Sequence, residues 1–186
     1  MENKFIRFMN KIQNAVTEIR NFPEINFKPK QMKVLENLML NRDVVAVLPT
    51  GFGKSIIFQI LPYFLSTSTE GIVVVISPLN SIMEDQHEIL KTYGIPCFVL
   101  KERDTFSEIP SFFPSSHRDV ENESNIIYET EQSEIPLFVK QGKLKLLICH
   151  PEGALSDNGM QLLKSNVYQN NVKACVIDEA HCIEIW

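Results

Sequence analysis

An α/β fold built on a parallel sheet is predicted by three features of this 186-residue chain. Short apolar runs recur, helical stretches lie between them, and a glycine-rich turn joins the first run to the next helix. The runs fall at 44–48, 72–76, 144–148 and 173–177. Each is of strand length and close to continuously apolar, as strands buried on both faces are. Residues 95–100 (Ile-Pro-Cys-Phe-Val-Leu) are a further strand candidate. Stretches 54–65, 80–92 and 152–165 carry helical patterns, which gives the alternation of strands and crossover helices. Upstream, Phe5, Phe8, Met9, Ile12, Val16, Ile19 and Phe22 recur at helical intervals, opposite Lys4, Arg7, Lys11, Glu18 and Arg20. An amphipathic helix within residues 1–22 is therefore expected, packed on an α/β domain over 23–186. A second helix is expected from Gln31 to Leu40, behind Phe27-Lys28-Pro29-Lys30.

Composition narrows the class. Hydrophobic residues make up 44% and charged residues 22% of the chain, ordinary values for a globular domain. No apolar stretch approaches the roughly 18 residues of a membrane span, and the N-terminus lacks a signal-peptide pattern. Cys97, Cys149, Cys175 and Cys182 show no paired metal-ligand spacing, so buried free thiols in a reducing compartment, nucleus or cytoplasm, are expected. The net charge of −5 is localised: nine acidic side chains and three basic ones lie between Lys101 and Glu134. The rest is close to neutral, so charge neither favours nor excludes nucleic acid. Residues 101–135 are rich in Ser, Glu, Asn and Pro and carry no sustained period. A mobile acidic surface insertion is expected there, with Phe106, Phe112, Phe113 and Ile126-Ile127-Tyr128 as a possible protein-docking segment.

Two motifs carry chemistry. Pro49-Thr50-Gly51-Phe52-Gly53-Lys54-Ser55 follows the first apolar run and opens a helix. Glycines let the backbone turn tightly onto phosphate oxygens, and the helix N-terminus adds partial positive charge. Lys54 is placed to reach terminal phosphates, and the Ser55 hydroxyl to hold Mg²⁺. Leu48 stands where the strict phosphate-loop pattern has its first glycine, so a second element is needed. Asp178-Glu179-Ala180-His181 supplies it, at the end of the last apolar run. In a parallel sheet this is the ligand-binding end. Asp178 can orient the Mg²⁺ shell while Glu179 polarises an attacking water.

Further stretches in the same order resemble the first RecA-like domain of superfamily two helicases, and within them the RecQ family of DNA helicases. Phe27-Lys28-Pro29-Lys30-Gln31 is similar to the family's motif ahead of the phosphate loop, whose Gln reads adenine. Residues 77–86 (Ser-Pro-Leu-Asn-Ser-Ile-Met-Glu-Asp-Gln) resemble its S-P-L-x-S-L-M-x-D-Q stretch, and His150-Pro151-Glu152 its third motif. Asp178 to Ile183 with Trp186 is similar to D-E-A-H-C-I-S-x-W. The resemblance implies a RecA-like P-loop NTPase domain using ATP and Mg²⁺ and acting on DNA, single-stranded and at duplex junctions. Phe27, Gln31 and residues 49–55 would bind ATP, with Ser55 and Asp178 on Mg²⁺. Lys54, Asp178, Glu179 and His181 would act in hydrolysis. Ser77, Pro78, Leu79, Asn80, Gln86, Pro151, Glu152 and Trp186 would meet the nucleic acid.

The resemblance covers residues 27–186 and departs at His150, at Glu184-Ile185 and over 101–135. The motif that follows the D-E-A-H box and the second RecA-like domain with its arginine finger have no counterpart here. An incomplete domain is therefore expected, an N-terminal fragment or truncated product that hydrolyses ATP slowly and does not unwind DNA alone. Two other readings stay open: another P-loop ATPase, such as a kinase or transporter, and a non-catalytic nucleotide- or partner-binding module.

Overall fold

A computed structural model of the protein describes residues 4–66, 71–101 and 135–185, with backbone only at 183–185. The expected insertion and its docking segment therefore lie outside the described residues apart from Lys101 and Ile135, as does Trp186. In chain order the elements are α1 (Lys4–Glu18), α2 (Pro29–Met39), α3 (Lys54–Leu65), β1 (Ile72–Ile76) and α4 (Asn80–Thr92). They continue with β2 (Cys97–Leu100), α5 (Leu137–Lys140), β3 (Leu146–Cys149), α6 (Pro151–Leu155), α7 (Asp157–Leu163), α8 (Asn166–Asn171) and β4 (Val172–Ile177). A 3₁₀ turn, Ala180–Ile185, follows.

All four strands are parallel, in the order β2-β3-β1-β4. Their side chains alternate between two apolar layers, as a pleated strand requires. Val73, Val75, Leu146 and Ile148 face α1, α2, α3 and α4, where Leu35, Ile60, Leu61, Phe64, Met83 and Leu90 are buried. Ile72, Val74, Leu147 and Cys149 face Val139, Ala154, Leu162 and Tyr168 on the opposite side. Tyr168 is fully buried, and its hydroxyl is satisfied by donating to the Val139 carbonyl at 3.0 Å. Among the described residues, no helix is long and apolar enough to cross a membrane.

The register fixes where chemistry can occur. Ile76 pairs with Cys149 and Ile177, and Leu100 with Cys149, so the four strands finish level. One more ladder bond follows each of three ends: Ser77 N–H to Cys149 O at 2.9 Å, His150 N–H to Leu100 O at 3.0 Å, and Asp178 N–H to Ile76 O at 2.9 Å. Ser77, His150 and Asp178 thus stand along one rim, the carboxyl end of the sheet.

Several expectations change. Helix α1 ends at Glu18 instead of running to residue 22, because Asn21 turns the chain with φ of 52° ahead of Pro23. Its face of Phe8, Ile12 and Ala15 is buried against the domain, as the pattern predicts. Residues 44–48 form no strand: they pair with no described strand, and Val45 and Val47 are 92% and 86% exposed. The single helix expected over 152–165 breaks at Ser156, whose hydroxyl donates to Gly153 O and accepts from Gly159 N–H, capping α7. Strand β4 is half-buried in alternation, because among the described residues it has one neighbour and one covered face. Consequently Cys175 is exposed, against the expectation of buried thiols, and Cys182 is half-buried. Cys97 and Cys149 are buried, and desolvation pushes each thiol up to about 12.

Candidate nucleotide and nucleic-acid site

The phosphate loop is a tight turn that only glycine adopts easily, and a side chain of α2 holds it. Gly51 and Gly53 have φ of 74° and 89°, values that side-chain-bearing residues rarely adopt. Gly53 is the N-cap of α3, and no side chain caps that end. Its free N–H groups are the donors a phosphate needs. Gln31, 2% exposed on α2, grips the loop backbone: its Nε2 donates to Phe52 O at 3.2 Å and to Gly53 O at 2.9 Å. Its Oε1 accepts from Lys28 N–H at 2.8 Å. Lys28 adds a second clamp, with Nζ 3.2 Å from Phe52 O and 4.4 Å over the Phe52 ring.

In this structure, then, the Gln31 amide supports the loop instead of standing free for an adenine edge. Phe27 packs on the main core and lines an apolar hollow with Met9, Ile12, Val16 and Met32. A Cβ on Gly53 would stand 2.8 Å from Gln31 Nε2, whereas one on Gly51 would meet nothing within 4 Å. Gly53→Ala should therefore cost more than Gly51→Ala. Backbone strain of about 1–2 kcal/mol applies to both, and displacement of the Gln31 amide adds to the first. Thermal unfolding of the two variants side by side tests the ranking.

The D-E-A-H segment meets this loop across 125 residues of chain. Lys54 Nζ lies 3.2 Å from Glu179 Oε1, and the other oxygen of Glu179 lies 3.2 Å from His181 Nδ1. Glu179 sits at φ of 48°, and its N–H donates to Asp178 Oδ1 at 3.0 Å. That local bond turns the Asp178 carboxyl back over the tight bend after β4. Lys54, Glu179 and His181 are thus brought together, and Asp178 is joined to them through Glu179.

The residues expected on nucleic acid form a neighbouring surface. His150 Nε2 donates to Pro78 O at 3.2 Å, and its Nδ1 lies 3.4 Å from Glu152 Oε2. This ring, a departure from the family's motif, ties the Ser77–Asn80 turn to Pro151-Glu152 at the start of α6. Leu79 is 44% exposed at the head of α4. The Ser77 hydroxyl is buried and has no hydrogen-bond partner among the described residues. Gln86 is set apart from this group: its Nε2 donates to Ser55 Oγ at 3.2 Å, and its Oε1 accepts from Gln59 Nε2 at 3.0 Å. The sequence did not mark Lys28 or Gln59, since a lysine beside a proline and a glutamine within a helix both read as solvated positions.

A family model described as DEAD/DEAH box helicase matches residues 28–186, the stretch that contains Gln31, the phosphate loop and the D-E-A-H segment. The chain belongs to the DEAD/DEAH box helicases. Within that family its likenesses are to RecQ-type proteins. It is 32% identical over 161 residues to an ATP-dependent DNA helicase RecQ from Synechocystis, covering 87% of this chain and 28% of the relative. A RecQ from Pasteurella multocida is 30% identical over 161 residues, covering 87% and 21%. The ATP-dependent DNA helicase hus2/rqh1 of Schizosaccharomyces pombe is 29% identical over 161 residues, covering 86% and 10%. The chain thus spans between a tenth and somewhat over a quarter of the length of these relatives. In this DEAD/DEAH domain the parallel sheet sets the phosphate loop and the acidic box face to face.

Proposed function

We propose that this chain is the ATP-binding domain of a RecQ-like 3′→5′ DNA helicase, coupling ATP hydrolysis to unwinding in the full-length motor. The observation that carries this reading is the Lys54–Glu179 pair, which joins the phosphate loop to the acidic box. In the nucleotide-bound site the Lys54 ammonium leaves Glu179 for the terminal phosphates, and the N–H groups at the head of α3 bind the same oxygens. Glu179, released, accepts a proton from the attacking water, with His181 steadying its second oxygen. An arginine from a second RecA-like domain would complete the charge stabilisation, as arginine fingers do in related NTPases.

Mg²⁺ fits the residues present. Ser55 and Asp178 offer hard oxygen ligands, and no cluster of three or more His, Cys, Asp or Glu exists among the described residues to form a protein cage. Few protein ligands, with waters and phosphates making up the rest, is how Mg²⁺ binds nucleotide sites. When bound it would neutralise charge on the phosphate oxygens. Leu79 and Asn80, with Pro78, Pro151 and Glu152 beside them, would contact the phosphate backbone of a single strand at a duplex junction, positioning it without reading sequence, whereas Ser77, 2% exposed, would stand behind them. Work on DNA would place the motor in the nucleus or cytoplasm.

Isothermal titration of ATP·Mg²⁺ into the chain tests the nucleotide reading, and DNA-stimulated hydrolysis in the full-length gene product tests the motor. Binding by the chain, together with slow turnover and no unwinding until a second domain is present, is the expected result. Absence of binding would reject the nucleotide site. Turnover in the full-length protein without DNA stimulation would favour a different P-loop ATPase.

A further inference from the structure

We propose that Gln86 is a positioning residue for the Ser55 hydroxyl, and that through it α4 adjusts the Mg²⁺ side of the nucleotide site. The inference rests on the nucleotide reading above and deepens it. A hydroxyl oxygen has two lone pairs and one hydrogen. Gln86 Nε2 occupies one lone pair of Ser55 at 3.2 Å, which fixes the rotamer and leaves the other lone pair for a cation. The donor is itself held, because Gln86 Oε1 accepts at 3.0 Å from Gln59. Gln59 is 2% exposed and lies one helical turn beyond Ser55 on α3. Three side chains from two helices thus form one relay, and its inner end is buried.

The outer end connects to the other face of the domain. Gln86 lies on α4, less than two turns from Asn80, where the helix begins at the Ser77–Asn80 turn. His150 ties that turn to the start of α6 through Pro78 O. A strand seated on Ser77–Asn80 therefore acts on the helix that carries Gln86. Any such coupling is reciprocal: DNA that tightens the Mg²⁺ side must itself bind more tightly when nucleotide and Mg²⁺ are present.

The test is nucleotide affinity with and without Mg²⁺ for the wild-type chain, Gln86→Met and Lys54→Ala. Methionine keeps the length and bulk at a half-buried helix position but removes both amide bonds. One neutral hydrogen bond corresponds to roughly a three- to tenfold change in affinity. Gln86→Met should therefore lose about that much of the Mg²⁺-dependent gain while its affinity for metal-free ATP stays unchanged. Lys54→Ala should lose affinity in both conditions. An undiminished Mg²⁺ gain in Gln86→Met overturns the proposal, as does an equal loss with and without the metal, which would mark a general disturbance of the loop. Circular dichroism and the melting temperature show whether the variant is folded. Should it be unfolded, Gln59→Leu, which removes the anchor and leaves Gln86 in place, must show the same metal-selective loss or the proposal falls. A wild-type chain that binds no nucleotide rejects the functional reading itself, a separate outcome.

Discussion

Replacing Lys54 with alanine is expected to weaken ATP·Mg²⁺ binding about 10- to 100-fold, and Glu179→Gln is expected not to weaken it. The two residues form one ion pair at 3.2 Å, so a contact-based view would give both changes the same consequence. Their roles toward a nucleotide differ in sign. Lys54 supplies charge-assisted bonds to phosphate, worth roughly 1.5–3 kcal/mol. On the proposed reading, Glu179 is the group the phosphates would displace from Lys54, and its charge would repel them. Making it neutral removes a competitor for the lysine, so affinity holds or rises while hydrolysis is lost. The pair itself contributes little to folding: both side chains retain solvent access, at 32% and 20%, and such pairs give at most about 1 kcal/mol. Both variants should then melt near the wild-type temperature. Calorimetric titration with a turnover assay in the full-length protein checks the contrast. Equal affinity losses in the two variants would show that Glu179 stabilises the bound nucleotide instead of awaiting it.

Phe64→Ala is expected to cost about 3–5 kcal/mol of stability, a large part of the 5–15 kcal/mol typical of a domain. Phe64 is fully buried on α3, where Phe8 of α1 meets it edge-on with centroids 6.2 Å apart. Lys11 Nζ lies 5.3 Å over its ring. Truncation opens a cavity under the contact through which α1 joins the domain, so loss of stability and loosening of α1 should appear together. The expected fall in melting temperature is on the order of 10 °C. Leu155→Ala, at a side chain 72% exposed, should stay within about 0.5 kcal/mol of wild type. Urea unfolding, with proteolysis to monitor α1, distinguishes the two. A Phe64→Ala chain as stable as the Leu155 control would mean that α1 is not docked as described.

The sheet was legible because a strand covered on both faces must be apolar throughout, and β1 and β3 meet that condition. The same rule misled at 44–48. A strand is defined by its neighbour as well as by its composition, and Val44-Val45-Ala46-Val47 has none among the described residues. Helices α5 and α8 were missed because four and six residues are too few to show a period. The phosphate loop and acidic box were readable because glycines with a lysine at the head of a helix, and paired carboxylates after a strand, have few other reasons to stand there. Their support was not. Gln31, which the resemblance assigns to adenine, here donates to the loop backbone; Gln86, which it assigns to nucleic acid, here donates to Ser55; Gln59 belongs to no motif. A glutamine is equally at home in solvent, on a ligand or in a buried relay, and only its neighbours decide which.

The outer edge of β4 affects how such a chain behaves in solution. Among the described residues β4 has one neighbour, and a parallel strand open on its other side presents a row of unpaired N–H and C=O groups, a template on which a strand from another molecule can grow. Lys173 is the single charge along Val172–Ile177, so the rim is guarded at one end and open at Ile177, which is 54% exposed. The exposed valines at 45 and 47 supply a β-prone segment of the kind that seeks such a template. The same rim that carries Asp178 at its tip is therefore also the place where self-association of this chain would be expected to begin.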